Sequence, residues 1–220
     1  MSTSHTKYDW ARLFRIARDL IRQVNTNGLV IDRWTFGGGT AMMLQIGHRE
    51  SHDVDIFLED PQLLRYLDPK TRDFNFEISP SDHLGDGVGS LKLVFTDIGE
   101  IDFIVDRPRT PNPTIQMDVE GETTLLETIP EIVTKKIIHR GSSVRPRDIF
   151  DIAAAGEEHA EDVVAALRSY RSEVAETIAA IERLNPEFVN GAISQLIIKD
   201  DFKVVADNAL RRAKQLLRAV

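Results

Sequence analysis

The fold class this sequence predicts is α/β (α+β): an α/β half followed by an all-helical half. Three observations predict it. Up to residue 126 the apolar residues fall in short runs, several alternating with period 2 and separated by Gly, Pro, Asn and Asp. Within that half a glycine run, Gly37-Gly38-Gly39-Thr40, separates a strand-like from a helix-like segment. After Pro130 the spacing changes to the i, i+3, i+4 pattern of helices and keeps it to the end.

Taken in order, residues 9–25 place Trp10, Leu13, Phe14, Ala17, Leu20, Ile21 and Val24 on one helical face, with Asn27-Gly28 as the stop. Residues 33–36 form a short aromatic and β-branched strand, the glycine turn follows, and 41–46 read as a short helix. Residues 47–52 are a loop. Residues 53–58 form a strand with Val54, Ile56 and Leu58 on one face and Asp53, Asp55 and Phe57 on the other. A helix starts near Pro61, a strand runs over 74–78, and 80–89, rich in glycine and turn formers, is an exposed loop. Residues 91–95 and 101–105 make a hairpin. Residues 107–114, with three prolines, connect it to a second hairpin over 114–126 that turns at Glu120-Gly121. The helices then occupy 129–140, 146–155, 160–184, 186–198 and 201–219. Two of them open on proline, whose missing N–H has no intrahelical partner there.

Composition narrows the function. The 220 residues suffice for one large domain or two small ones. No apolar run approaches the ~20 residues needed to span a bilayer, and MSTSHTKYDW lacks the blocks of a signal peptide, so a cytoplasmic location and no membrane partner are expected. The absence of cysteine excludes disulfides, thiolate metal sites and cysteine nucleophiles. A net charge of −8 does not advertise nucleic-acid binding through the overall field and leaves only a local basic patch for RNA.

The chemistry concentrates in FGGGTAMMLQIGHRESHDVDIF, residues 36–57. Asp53 and Asp55 share a strand face, roughly 7 Å apart along it. Two ionised carboxylates so placed repel each other, and a divalent cation relieves this; oxygen ligands of this kind suit Mg²⁺. A plain edge strand with a polar face would alternate aspartate in the same way, yet aspartate is disfavoured in strands and this one is otherwise apolar. Gly38, Gly39 and Thr40 stand at a helix N-terminus, whose unpaired N–H groups and positive dipole end suit a phosphate. A strand-to-helix turn without ligand has the same composition. Asp102, which interrupts the apolar stretch 101–105, is the best candidate for the third acid that two-metal phosphoryl chemistry needs. In EIVTKKIIHRGSSVRPRDIFD, residues 131–151, Lys136 and Arg140 share one helical face, and Arg147 and Asp151 share another with Asp148 beside them. Such a cluster can hold a triphosphate, although surface salt bridging explains most pairs at this spacing.

Other signals carry less. His48 and His52 lie in a loop and do not form a HExxH helix. Residues 85–89 precede a strand, not a helix, and so are no dinucleotide fingerprint; a Walker A lysine motif is absent. Arg211, Arg212, Lys214 and Arg218 read as a solvated face.

The order GG-T, short helix, GHR-x-S-x-DVDIF, then EIVTKKI, HRG and RPRDIFD resembles the AbiEii/AbiGii-type nucleotidyltransferases, toxin-like members of the DNA polymerase β superfamily, over about residues 35–154. The resemblance implies a nucleotidyltransferase fold: a mixed sheet flanked by helices, with a helical C-terminal half. It implies a catalytic domain over 1–126 and a helical domain over 127–220 that contributes to the site. Gly38, Gly39 and Thr40 would contact an NTP, and Asp53 and Asp55 would hold two Mg²⁺ ions, with Asp102 as third carboxylate. Lys136, or adjacent Lys135, would contact phosphate. Asp148 would match the family's functional aspartate, supported by Arg147 and Asp151. Thr40 stands where serine is common in the superfamily and keeps the hydroxyl. The implied reaction moves an NMP from an NTP to an acceptor, RNA such as tRNA being the expected one, in a type IV toxin–antitoxin setting with a cognate antitoxin protein. The alternatives are a small-molecule or protein acceptor, or a non-catalytic nucleotide-binding module.

Overall fold

A computed structural model describes residues 9–26, 28 and 31–220. The N-terminal segment 1–8 and Asn27, the first residue of the expected helix stop, lie outside the described residues. The chain divides into two compact units. The first comprises the residues up to Ala41 with Ser51–Arg107 and Ile115–Leu126; the second comprises Met42–Glu50, Pro108–Thr114 and Glu127–Val220.

The first unit is built on helix α1 (Trp10–Thr26) and a mixed seven-stranded sheet in the order β3-β4-β5-β2-β1-β7-β6. The strands are β1 (Trp34–Gly37), β2 (Val54–Leu58), β3 (Asp82–Gly85), β4 (Ser90–Phe95), β5 (Gly99–Val105), β6 (Thr114–Val119) and β7 (Glu122–Glu127). β2 lies between antiparallel β1 and parallel β5. Period-2 alternation buries Val54, Ile56 and Leu58 together with Ile101 and Phe103. α1 covers this face, with Phe14 stacked on Phe36 at 4.9 Å. The acidic residues of β2 and β5 are thereby left on the opposite face. Helix α2 (Gly38–Ile46) follows β1 directly, so the glycines form its first turn instead of a loop before it.

Two expectations in this unit fail for local reasons. Residues 74–78 alternate in burial but join no ladder, because the Gln23 side-chain amide takes both backbone groups of Asn75. Within 80–89, expected to be a loop, Asp82–Gly85 forms edge strand β3 against β4. The Asp86 carboxylate closes the following turn by accepting N–H bonds from Val88, Gly89 and Ser90. Between β2 and β3 a 3₁₀ turn over Pro61–Leu63 leads into helix α3 (Leu64–Leu67), at the expected proline.

The second unit holds α4 (Ile129–Arg140), α5 (Pro146–Glu158), α6 (Ala160–Leu167), α7 (Arg171–Arg183), α8 (Pro186–Ile193), α9 (Lys203–Asp207) and α10 (Ala209–Leu217). The single helix expected over 160–184 breaks at Arg168–Tyr170, where the Tyr170 hydroxyl donates to the Arg109 carbonyl. The helix expected over 186–198 ends at Ile193, because residues 197–199 pair with 48–50. The last helix is interrupted at Asn208.

Two short segments from the first half of the sequence belong to this helical unit, and buried polar bonds explain both. Residues 48–50 are held by 197–199 and by Asp151. Residues 108–114 are held by Glu131, a fully buried carboxylate on α4 that accepts the backbone N–H groups of Arg109 and Thr110 and the Thr110 hydroxyl. A buried carboxylate so satisfied makes a firm clamp.

Candidate functional site

In the first unit the register of three strands gathers the predicted acids. Asp53 immediately precedes β2. Asp55 lies opposite Gly37 on β1 and opposite Asp102 on β5. Register partners in a sheet project to the same face, so Asp55 and Asp102 are direct neighbours there.

Gly38 lies against Asp55. It enters α2 at φ +67°, and a β-carbon at this position would fall 1.8 Å from Asp55 Oδ2 and 2.5 Å from its Cγ. Glycine alone satisfies both the backbone angle and the space. The Asp55 carboxylate thus rests on the first turn of α2, where N–H groups lack intrahelical partners and the dipole end is positive. Gly39 follows in the same turn, half-buried. Thr40 is fully buried, and its hydroxyl donates to the Asp53 carbonyl. The hydroxyl expected to meet a phosphate therefore ties helix α2 to the residue that opens β2, fixing the backbone of Asp53.

Asp102 is engaged by Lys92, its register partner on β4. Lys92 Nζ stands 2.9 Å from Asp102 Oδ2 and also donates to Glu100. Burial pushes the Asp102 carboxyl above the usual range. Lys92 pulls it back, and the charges of Glu100 and Asp53 push it up again. Burial disfavours the Lys92 ammonium, but the two carboxylates outweigh this and raise it. Among the described residues no three acid or histidine side chains close into a ready cation cage.

The second unit holds a separate cluster. Lys136 on α4 lies 2.8 Å from Asp148 Oδ1 and 2.9 Å from Asp151 Oδ2, both on α5 and both buried. Arg49 grips Asp151 with both arms, Nε at 2.7 Å from Oδ1 and a terminal nitrogen at 3.0 Å from Oδ2. His48 Nε2 reaches Oδ1 at 3.0 Å. Arg140, one turn from Lys136, lies 3.8 Å from Asp148. Burial opposes the charges of Lys136, Asp148 and Asp151, yet the mutual attraction prevails. Asp151 is held well below the usual carboxylate range by Lys136, Arg49 and His48, Asp148 is lowered mainly by Lys136, and Lys136 is raised by both aspartates.

Several predicted roles meet different partners. Lys135, the alternative phosphate lysine, is buried with Glu127 at 2.5 Å and Glu131 at 3.6 Å. Among the described residues Arg147 forms no ion pair with Asp151, whose cationic partners are Lys136 and Arg49. Within the basic stretch 135–147, considered for RNA, Lys135 and Lys136 are committed to buried internal pairs. On α10 Arg212 pairs with Glu157, and just past its end Arg218 pairs with Glu182, while Arg211, Lys214 and Arg218 line an open depression of ≈ 670 Å³.

Spacing could not have found Lys92, His48 and Arg49. Helical i,i+4 analysis works within one element, whereas Arg49 and Asp151 are 102 residues apart and Lys92 meets Asp102 only across a hairpin. The GHR of the family-like motif was the one available signal for Arg49.

Among the described residues no helix is long and apolar enough to cross a membrane. A sequence model of one family, described as nucleotidyl transferase AbiEii toxin of the type IV toxin–antitoxin system, matches residues 20–217. No curated protein sequence matches the chain. Two crystal structures from Helicobacter pylori share its fold. One, described as a candidate nucleotidyltransferase, aligns with TM-score 0.51 at 13% identity over 99% of this chain and 95% of that one. The other, JHP933, aligns with TM-score 0.50 at 13% identity over 99% and 92%.

Proposed function

From the premise that the chain belongs to the AbiEii nucleotidyltransferase toxin family, we propose that it transfers an NMP from an NTP to an RNA acceptor such as tRNA, with Mg²⁺ held by Asp53, Asp55 and Asp102. The single observation that carries this reading is the register that sets Asp55 beside Asp102 on one sheet face, with the first turn of α2 against the Asp55 carboxylate. These residues fit a hard divalent cation. They supply carboxylate oxygens only, and the charges of Glu100 and Asp53 push the Asp102 carboxyl up against the pull of Lys92, so the group carries mutual repulsion that a divalent cation would lower. When bound, the cation would offset negative charge on the transferring phosphoryl group.

The chain's own residues do the positioning. Gly38 leaves the room that Asp55 occupies, and Thr40 holds the Asp53 backbone. Gly38 and Gly39 present helix N–H groups to the nucleotide phosphates. In the helical unit Lys136 keeps the phosphate-contacting role the resemblance gives it. Asp148 and Asp151 hold its ammonium charged and in one place, and Arg49 and His48 hold Asp151. Arg147, at the start of α5, keeps its supporting place in the same assignment. A cognate antitoxin and a cytoplasmic location complete the proposal.

Calorimetry with each of the four NTPs, with and without Mg²⁺, tests the site. Wild type is expected to bind at least one NTP only with Mg²⁺. Asp55→Asn is expected to lose that binding and nucleotidyl transfer to labelled RNA while melting within a few degrees of wild type. Equal Mg²⁺-dependent binding by Asp55→Asn would refute the assignment. Transfer to a small molecule or protein but not to RNA would change the acceptor and keep the site.

A further inference from the structure

We infer that Lys92 is a built-in cation of the acidic face, which occupies Asp102 and must yield it when a divalent ion enters. The inference rests on the reading of Asp102 as a cation ligand. Lys92 lies on β4 directly across from Asp102, on the same face as Glu100 and Asp102, with its ammonium 2.9 Å from Asp102 Oδ2. A long lysine stem crossing one strand spacing reaches its register partner without strain. Lys92 also bonds Glu100. Glu100 and Asp102 are two apart on β5 and so project to one face, giving the ammonium a second anchor beside the first. A lysine released from Asp102 therefore remains tethered to Glu100.

Chemistry follows from this double anchorage. An ammonium offers one charge and three hydrogens to carboxylates that otherwise repel one another, and it offsets part of that repulsion in the absence of a divalent ion. A divalent ion competes with it for Asp102 oxygens and must displace it. Lys92 is thus a positioning residue that sets how tightly the site takes its metal. It differs from Lys135 and Lys136 of the helical unit, which are paired with carboxylates of α4, α5 or their flanks.

Mn²⁺ binding, read from the loss of the free-ion electron paramagnetic resonance signal, tests the inference on the full chain without nucleotide or turnover. Lys92→Met, which keeps the stem and removes the charge, is expected to bind Mn²⁺ roughly tenfold tighter than wild type, since one competing unit charge has gone. Lys92→Arg is expected to stay near wild type, and Asp102→Asn to bind more weakly. Lys92→Gln, polar and neutral, repeats the first result should the methionine variant fold poorly. Unchanged or weaker binding by the neutral variants, with wild type binding well and Asp102→Asn weakened, would make Lys92 a structural cross-strand pair and leave the metal site standing. Binding of Mn²⁺ by none of the proteins would overturn the inference together with the metal-site reading.

Discussion

Alanine at position 38 is expected to reduce nucleotidyl transfer by a hundredfold or more. The new methyl would stand 1.8 Å from the present position of Asp55 Oδ2, so the carboxylate must leave. Displacement of a reacting group by about 1 Å costs about 10²-fold in rate. The φ of +67° adds strain of roughly 1–2 kcal/mol for any residue with a β-carbon. The two effects separate in experiment. Strain lowers the melting temperature by a few degrees, whereas carboxylate displacement removes Mg²⁺-dependent nucleotide binding even where the protein is fully folded. Wild-type turnover in Gly38→Ala would show that the position of Asp55 in the structure is not the catalytic one.

The second large effect belongs to Asp151. Asparagine there leaves Arg49 and Lys136 buried with Asp148 as the remaining carboxylate of the cluster. Breaking a buried pair by removing one partner costs about 3–5 kcal/mol, and for a chain of this size that corresponds to a fall of about 10 °C in melting temperature. Residues 48–50 should loosen at the same time, because Arg49 and His48 both bond Asp151; faster amide exchange at Glu50 and Lys199, whose N–H groups bond 197 and 48, would report it. A melting temperature within one degree of wild type would sink this account.

The same cluster fixes a pH dependence. Asp148 and Asp151 titrate below the usual range in the folded chain, and in the unfolded chain near ~3.9. Their contribution to stability is therefore complete above that value and is lost as pH falls through the folded values. Lys136 is raised, so its contribution is present below ~10.4 and is lost as pH rises through its folded value. The cluster contributes fully between about pH 5 and 10. Melting followed by circular dichroism should show a fall below about pH 4 that is much shallower in Asp151→Asn. Equal slopes would remove the cluster from the acid transition.

Much of this protein was determined by sequence alone. Period 2 in 53–58 set which residues are buried, because only one face of a strand can meet α1. That pattern placed Asp55 away from the core before any partner strand was known. Gly38, Gly39 and Thr40 at the end of a strand announced a helix start, and the family-like motifs from 35 to 154 agree with the match over 20–217. Helix ends were less legible. The break at 168–170 comes with a bond from Tyr170 to distant Arg109, and the side chain of Gln23 prevents a strand at 74–78 by bonding Asn75.

Tertiary structure decided the pairings. Which carbonyl the Thr40 hydroxyl reaches within the fold, and whether Asp151 pairs with Arg147 or with Arg49, are choices between groups that local spacing makes equivalent. Desolvation removes the equivalence, because a buried charge requires the partner that geometry brings within about 3 Å. That partner arrives from wherever the chain has folded back. So Arg49 reaches Asp151 across 102 residues, and Lys92 reaches Asp102 across a hairpin, where no periodicity within one element could have placed them.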